Sequence, residues 1–166
     1  MRIGLSLVVL VALCAGCATY EPTLPKDYAG PTATIAEHVF SEGDTKGQLF
    51  YIESIDGKEI LSSHQATLKA TLGRGFSLAL RSVEHVVPAR PLRLKLVGTH
   101  MTGAPIHEMA SRAAGTFFRV EGELVFTPQA GGAYFVTGKL QKEGSAVWIA
   151  DVKSEQPVTE QVMQRK

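Results

Sequence analysis

The chain has 166 residues, of which 45% are hydrophobic and 20% are charged, so it fits one compact domain and is too short for two ordinary ones. Its 17 Lys and Arg residues nearly balance 16 Asp and Glu residues, and the formal net charge is +1. This balance argues against simple binding along a nucleic acid backbone, and 16 Gly with 8 Pro residues indicate a turn-rich globular protein rather than a disordered one.

The first residues predict a secretory signal peptide. Met1 and Arg2 give a positively charged start, and residues 3–15 are apolar or small and carry no charge. As a helix this run would be about 20 Å long, which is short for the roughly 30 Å core of a bilayer but typical of the apolar region of a signal peptide. The alternative is a buried N-terminal helix, which the lack of amphipathic periodicity disfavours.

The apolar run ends in Leu13-Cys14-Ala15-Gly16-Cys17, which resembles the lipobox of bacterial lipoproteins, although Cys14 stands where that family most often has Leu. The resemblance implies cleavage between Gly16 and Cys17, a thioether-linked diacylglycerol on the Cys17 sulfur and an acyl chain on its new amino group. Small residues beside the cleaved bond give the peptidase access to the backbone. The alternative for Cys17 is an ordinary buried thiol.

The same resemblance implies a location. Ala18 follows Cys17, and in enteric-type lipoproteins a residue other than Asp at this place directs transfer to the outer membrane. We therefore expect a protein anchored in the outer membrane through acyl chains on Cys17 and facing the periplasm. Several acyl chains, each contributing about 0.8 kcal/mol per buried CH₂, make such an anchor effectively permanent. Cleavage removes Cys14, so the mature domain is expected to contain no disulfide.

The segment after the anchor predicts a tether. Pro22, Pro25 and Pro31 favour extended chain, so we assign residues 1–16 to the signal peptide and 17–31 to the lipidated cysteine and a spacer. The alternative is that this segment packs along the domain surface through Tyr20 or Tyr28. Residues 32–152 are assigned to the folded domain and 153–166 to a C-terminal tail with a weak helical tendency after Pro157.

The domain shows a period of two, which is typical of half-buried strands. Asp56-Gly57, between two such runs, predicts a tight hairpin, and the irregular residues 99–115 leave room for one short helix over 106–114. Candidate strands, about eight of which are expected to form the sheet, fall over 33–40, 48–55, 58–61, 67–72, 76–80, 84–87, 92–96, 118–126, 134–140 and 147–152. The fold class is therefore all-β, and we expect an antiparallel immunoglobulin-like or transthyretin-like sandwich of about eight strands.

A looser resemblance supports this fold. Four short segments are together similar to small bacterial lipoproteins with sandwich domains. They are the Asp56-Gly57-Lys58 hairpin, Val87-Pro88-Ala89 before an alternating strand, residues 131–136 (Gly-Gly-Ala-Tyr-Phe-Val) and residues 147–151 (Val-Trp-Ile-Ala-Asp). These are turn and core residues, so the resemblance implies a fold and says little about activity.

Residues with catalytic or metal-binding patterns are few. The five His residues form no zinc-protease pattern, and no Gly-x-Ser-x-Gly motif occurs, so no catalytic residue and no cofactor are predicted. His100, Met101, His107 and Met109 are weak candidates for copper ligands, since imidazole and thioether groups suit that metal. The alternative is a loop whose Met residues pack on the core.

Basic residues crowd the middle third of the chain. Such a face could bind phosphates of lipopolysaccharide or an acidic partner, or it could be the solvated side of strands. The residues are Arg74, Arg81, Arg90, Arg93, Lys95 and Arg112.

These patterns leave three function classes open. The favoured one is a lipid-anchored, non-enzymatic binding or structural module acting through contacts with an envelope protein or other envelope material, without nucleic acid. The second is a binder of a small ligand or copper through residues 99–115. The third, an envelope hydrolase, is disfavoured because no catalytic set is visible.

Overall fold

The computed structural model describes residues 20–164, so the predicted signal peptide, the cleavage site at Gly16 and the lipidation site at Cys17 lie outside the described residues. The elements within that part are β1 (Thr32–Ser41), β2 (Lys46–Ile55), β3 (Lys58–Glu59), α1 (Ser63–Thr71), β4 (Glu84–Pro88), β5 (Leu92–Thr102), α2 (Pro105–Ala113), β6 (Arg119–Phe126), β7 (Ala133–Lys139), β8 (Ala146–Asp151) and β9 (Val162–Met163).

The strands form one mixed sheet that nearly closes into a barrel. Across residues 20–164 the sheet has nine strands in the order β6-β5-β2-β1-β7-β8-β9, with β3 beside β2 and β4 beside β1. The two ends of this order meet, because a Cβ built on Gly122 of β6 would lie 2.7 Å from Val162 of β9. The all-β expectation is confirmed. An antiparallel immunoglobulin-like or transthyretin-like sandwich is not, since β1 and β7 pair in parallel within this single sheet.

Strand β1 holds the sheet together by changing partners along its length. Its first half pairs with β4 over Thr32–Ala36 and with β7 over Thr34–Glu37, and its second half pairs with β2 over His38–Ser41. The change falls at Glu37, so the residue at this position is surrounded by several elements.

Period-two residues supply the core, as the sequence predicts. Leu92, Leu94 and Leu96 of β5 are fully buried inside the barrel. A second, smaller cluster contains Leu49, Tyr51, Val97 and Met101, with Leu78 and Leu80 packed against it. The buried apolar residues of the described chain all lie between Ala33 and Ala150.

Several local expectations are met. The Asp56-Gly57 hairpin has positive φ at both residues, 52° and 80°, as a type I′ turn requires. The helix expected over 106–114 is α2, displaced by one residue.

Other expectations are wrong. The pattern over residues 67–72 predicts a strand, but most of them belong to α1, so the described part of the chain has two helices rather than one. Residues 76–80 form no strand, and the tail has a bridge between Ala150 and Pro157 and then β9 instead of a helix. Among residues 20–164, no helix has the length and apolar character needed to cross a bilayer.

The described part of the predicted tether lies against the domain. The Glu21 N–H donates to the Glu59 carbonyl at 3.0 Å, and the Thr23 hydroxyl donates to the Val86 carbonyl at 2.7 Å. These contacts favour the alternative in which this segment packs on the surface over a free spacer.

Candidate functional site

Helix α1 buries a polar side. Ser63, Thr67 and Thr71 are spaced four residues apart, all three are buried, and each accepts a backbone hydrogen bond from an extended segment that runs antiparallel to the helix. Four residues of a helix rise about 6 Å, and two residues of an extended chain span about 6.6 Å. The backbone N–H of every second residue in the extended segment therefore lies beside a hydroxyl of α1. The donors are Val83 at 3.0 Å, Arg81 at 2.9 Å and Ala79 at 3.1 Å.

The leucines of α1 therefore face outwards. Leu68, and Leu72 just beyond the helix end, are exposed, whereas a surface helix normally turns such residues towards the core. Both line a cleft of about 470 Å³ between α1 and α2. The end of β5, from Thr99 to Thr102, also lines it, as do Gly103 just after the strand and the first part of α2. The irregular 99–115 segment thus provides a large part of the cleft.

Two arginines line the cleft opposite the leucines. Arg112 bonds Glu108 one turn earlier on α2 at 2.7 Å, and its guanidinium lies 4.1 Å from the centre of the Phe117 ring. Arg119 bonds Glu121 at 2.6 Å. The cleft therefore has apolar groups from α1 and guanidinium donors from α2 and β6.

His64 lines the cleft as a neutral ring. It stacks on the buried Tyr51 ring with 5.5 Å between the centroids. Burial lowers the pKa of His64, with Arg119 adding to the effect, and burial raises the pKa of Tyr51 to about 12. Both side chains are therefore uncharged at neutral pH.

His100 is held by two neighbours at the mouth of the barrel. The Phe118 N–H donates to Nδ1 at 3.0 Å, so the proton is on Nε2, which donates to Glu42 at 3.2 Å. Burial lowers the pKa of His100 below its usual 6.5, with the nearby Glu42 acting in the opposite direction. Both ring nitrogens of His100 are thus engaged.

The other copper candidates make contacts different from those of His100. Met101 follows His100 on β5, points to the opposite face and packs in the smaller apolar cluster. His107 contacts the Phe76 ring at 5.4 Å, and Met109, about 200° around α2 from His107, is exposed. Within residues 20–164 no group of three or more His, Cys, Asp or Glu residues is placed to hold a metal ion.

No protein family model matches this sequence, and neither a curated protein nor a solved structure is found to be similar to it. The geometry of the cleft is therefore the basis for a functional proposal.

A buried charged residue outside the cleft, Glu37, is not among the candidates that the sequence indicates. Its carboxylate accepts the Ile52 N–H at 3.0 Å and the Ser63 N–H, and it lies 2.8 Å from Nε2 of buried His85. Glu37 follows Ala33 and Ile35 at the inward-facing positions of β1. A charged residue at such a position is the feature of the sequence that indicates a buried charged group.

Proposed function

We propose that this protein is a lipid-anchored, non-enzymatic binding module of the cell envelope. In this proposal the acyl chains on Cys17 hold it at the outer membrane, facing the periplasm. The lipobox-like pattern before Cys17 supports the anchor. The all-β body, with its polar turns and a cleft at one end, suits a scaffold that presents a site to a ligand.

The cleft between α1 and α2 is the proposed binding site. The observation that carries the proposal is that Leu68 and Leu72 face this cleft instead of the core. Apolar surface exposed in a concave site stabilises a bound apolar group by about 25 cal/mol per Å² removed from water. Arg112 and Arg119 present planar donors to the same space. The ligand class that fits is a small amphipathic anion, which would compete with Glu108 and Glu121 for the guanidinium groups.

The hydroxyls lining the cleft support binding over catalysis. Thr71 accepts the Ala79 N–H, while Thr99 and Thr102 donate to the carbonyls of His100 and Ala104. A hydroxyl held in such bonds is a poor nucleophile unless a base lies beside it, as in the catalytic sets of hydrolases.

The anchor is tested by Cys17→Ser in the native host. The variant should leave the membrane fraction or accumulate as an uncleaved precursor. Processing and fractionation identical to the parent protein would show that Cys17 is not lipidated.

The cleft is tested with 8-anilinonaphthalene-1-sulfonate, a fluorescent amphipathic anion, added to the full-length protein. Saturable binding should weaken about tenfold in Leu68→Asp and also weaken in Arg112→Gln, because these changes remove an apolar contact and a donor. Val125→Ser, at an exposed position on β6, is the matched control. Equal binding in all four proteins would refute the cleft as the site.

A further inference from the structure

A second feature surrounds the cleft mouth. Large apolar side chains point to solvent from the end of α1, from the following loop and from α2, at Leu72 (73% exposed), Phe76 (63%), Ile106 (62%) and Met109 (70%). We call these four residues the apolar rim.

The loop and α2 lie side by side. The Phe76 ring contacts His107 of α2, and a Cβ built on Gly103 would lie 2.1 Å from the Phe76 carbonyl oxygen. Ile106 and Met109 lie one turn apart on α2, about 100° and 160° around the helix from His107, so the rim has two parts: Leu72 with Phe76, and Ile106 with Met109. No residue of α2 is fully buried. Apolar side chains in this number at one end of a domain indicate a surface that is covered by something else.

The rim is bordered by basic residues. Arg74 stands between Leu72 and Phe76, in a turn formed by Gly73 and Gly75 with φ of 77° and 64°. Lys69 is exposed on α1. In the described part of the chain, neither Lys69 nor Arg74 takes part in an ion pair.

Acidic groups only partly offset this charge. Arg112, at the cleft edge, is neutralised by Glu108. Asp44 lies near the loop, where its carbonyl accepts the Leu78 N–H at 2.7 Å. The two unpaired cations therefore leave the border of the rim positively charged.

We propose that the apolar rim docks on an anionic lipid surface. Leu72 and Phe76 enter the interfacial region of the bilayer, while Lys69 and Arg74 stay at the level of the negatively charged headgroups. Exposed apolar side chains flanked by cations are the combination that binds such a surface. A second copy of the chain fits less well, since a two-fold contact would bring the same cations of both copies together. This contact is separate from the proposed anchor at Cys17 and does not require it.

The test uses the chain from residue 18 onward, which lacks Cys17 and retains the apolar core between Ala33 and Ala150. Its partitioning is measured by sedimentation with vesicles of phosphatidylcholine alone and with about 30% phosphatidylglycerol. Binding is expected to the anionic vesicles and to fall in about 0.5 M salt, because the charge attraction is screened. Lys69→Gln and Arg74→Gln should each weaken binding about fivefold, the equivalent of about 1 kcal/mol per cation.

The apolar contribution is tested by the double variant Leu72→Ser, Phe76→Ser, which should bind at least tenfold more weakly than the parent. Val125→Ser and Lys142→Gln, at exposed positions elsewhere, are the matched controls and should bind like the parent. All variants are checked for folding by circular dichroism.

Equal binding to neutral and anionic vesicles, no binding by a folded parent chain, or equal losses in the controls would overturn the proposal. Self-association through the rim without vesicle binding would also overturn it and assign the surface to a second copy. The dye titration of the cleft and the Cys17→Ser fractionation are separate measurements, so a failure here is distinguishable from a failure of the proposed function.

Discussion

Replacing Glu37 by Gln tests how this fold is held together. The Glu37 carboxylate is fully buried where β1 changes partners. One oxygen accepts the Ile52 N–H from β2 and lies 2.8 Å from His85 of β4, and the other accepts the N–H of Ser63, the first residue of α1. A single side chain thus connects β1 to two strands and to the start of a helix.

The size of the effect follows from these contacts. Gln fills the same volume, so no cavity is created, but its amide group can replace only one carboxylate oxygen as an acceptor. The variant loses one hydrogen bond to a charged group, which contributes about 1.5–3 kcal/mol, and leaves a buried donor without a partner at a cost of about 1–3 kcal/mol. We expect the free energy of unfolding to fall by about 2.5–6 kcal/mol, a large fraction of the 5–15 kcal/mol typical of a domain.

The assay is urea unfolding at pH 7, followed by fluorescence of the single tryptophan, Trp148. The matched control is Glu84→Gln on β4, an exposed position that should change the free energy of unfolding by less than about 0.5 kcal/mol. If Glu37→Gln unfolded within about 1 kcal/mol of the parent, the carboxylate would not be a central connection in the fold.

Four further predictions follow from the described contacts. Absorbance titration should show a tyrosine with a pKa of about 12 that disappears in Tyr51→Phe. Burial lowers the pKa of His100, so its contribution to the free energy of unfolding should be fully present above about pH 6.5 and be lost as the pH drops towards the folded-state pKa. The free energy of unfolding should therefore fall less with decreasing pH in His100→Gln than in the parent, and an equal fall in both would contradict this. Thr67→Val leaves the Arg81 N–H unpaired, so the free energy of unfolding measured in urea should fall by about 1–3 kcal/mol. No change would show that the Thr67 hydroxyl is dispensable. Gly138→Ala should destabilise more than Gly122→Ala, since the added Cβ meets backbone at 2.2 Å in the first and a movable side chain at 2.7 Å in the second; equal melting temperatures would refute this ranking.

The β-rich class could be predicted because strand periodicity is local. Leu92, Leu94 and Leu96 alternate with Arg93 and Lys95, and that pattern alone specifies one buried face and one solvated face. The Asp56-Gly57 turn was predictable for a similar reason, since two consecutive positive φ angles strongly favour these residue types.

The arrangement of the sheet was not predictable in the same way. The parallel pairing of β1 with β7 joins residues about 100 positions apart, such as Ile35 and Tyr134, and no local pattern records it. The segment 99–115 was recognisable as irregular, but its position opposite α1 depends on how distant parts of the chain pack.

Helix α1 is hard to predict because its buried side is polar. Threonine favours strands, so Thr67 and Thr71 indicate a strand where the structure has a helix. The signal that favours a helix is the Ser62-x-x-Gln65 pair, in which the Gln65 side chain accepts the Ser62 N–H at 3.2 Å, as in a capping box. A Ser or Thr at every fourth residue, beside a segment with no strand partner, is the further pattern that identifies such a helix.

The polar packing of α1 also accounts for the exposed leucines beside the cleft. Because hydroxyls of α1 satisfy the backbone of residues 79–83, the helix cannot turn its leucines inwards without leaving those N–H groups unpaired. Full burial of an exposed leucine contributes about 1.5–3 kcal/mol, and Leu68 and Leu72 are 50% and 73% exposed, so the folded chain forgoes roughly 2–4 kcal/mol. In the two proposals, contacts with a ligand or with lipid would recover part of that free energy, and both proposed binding surfaces adjoin α1.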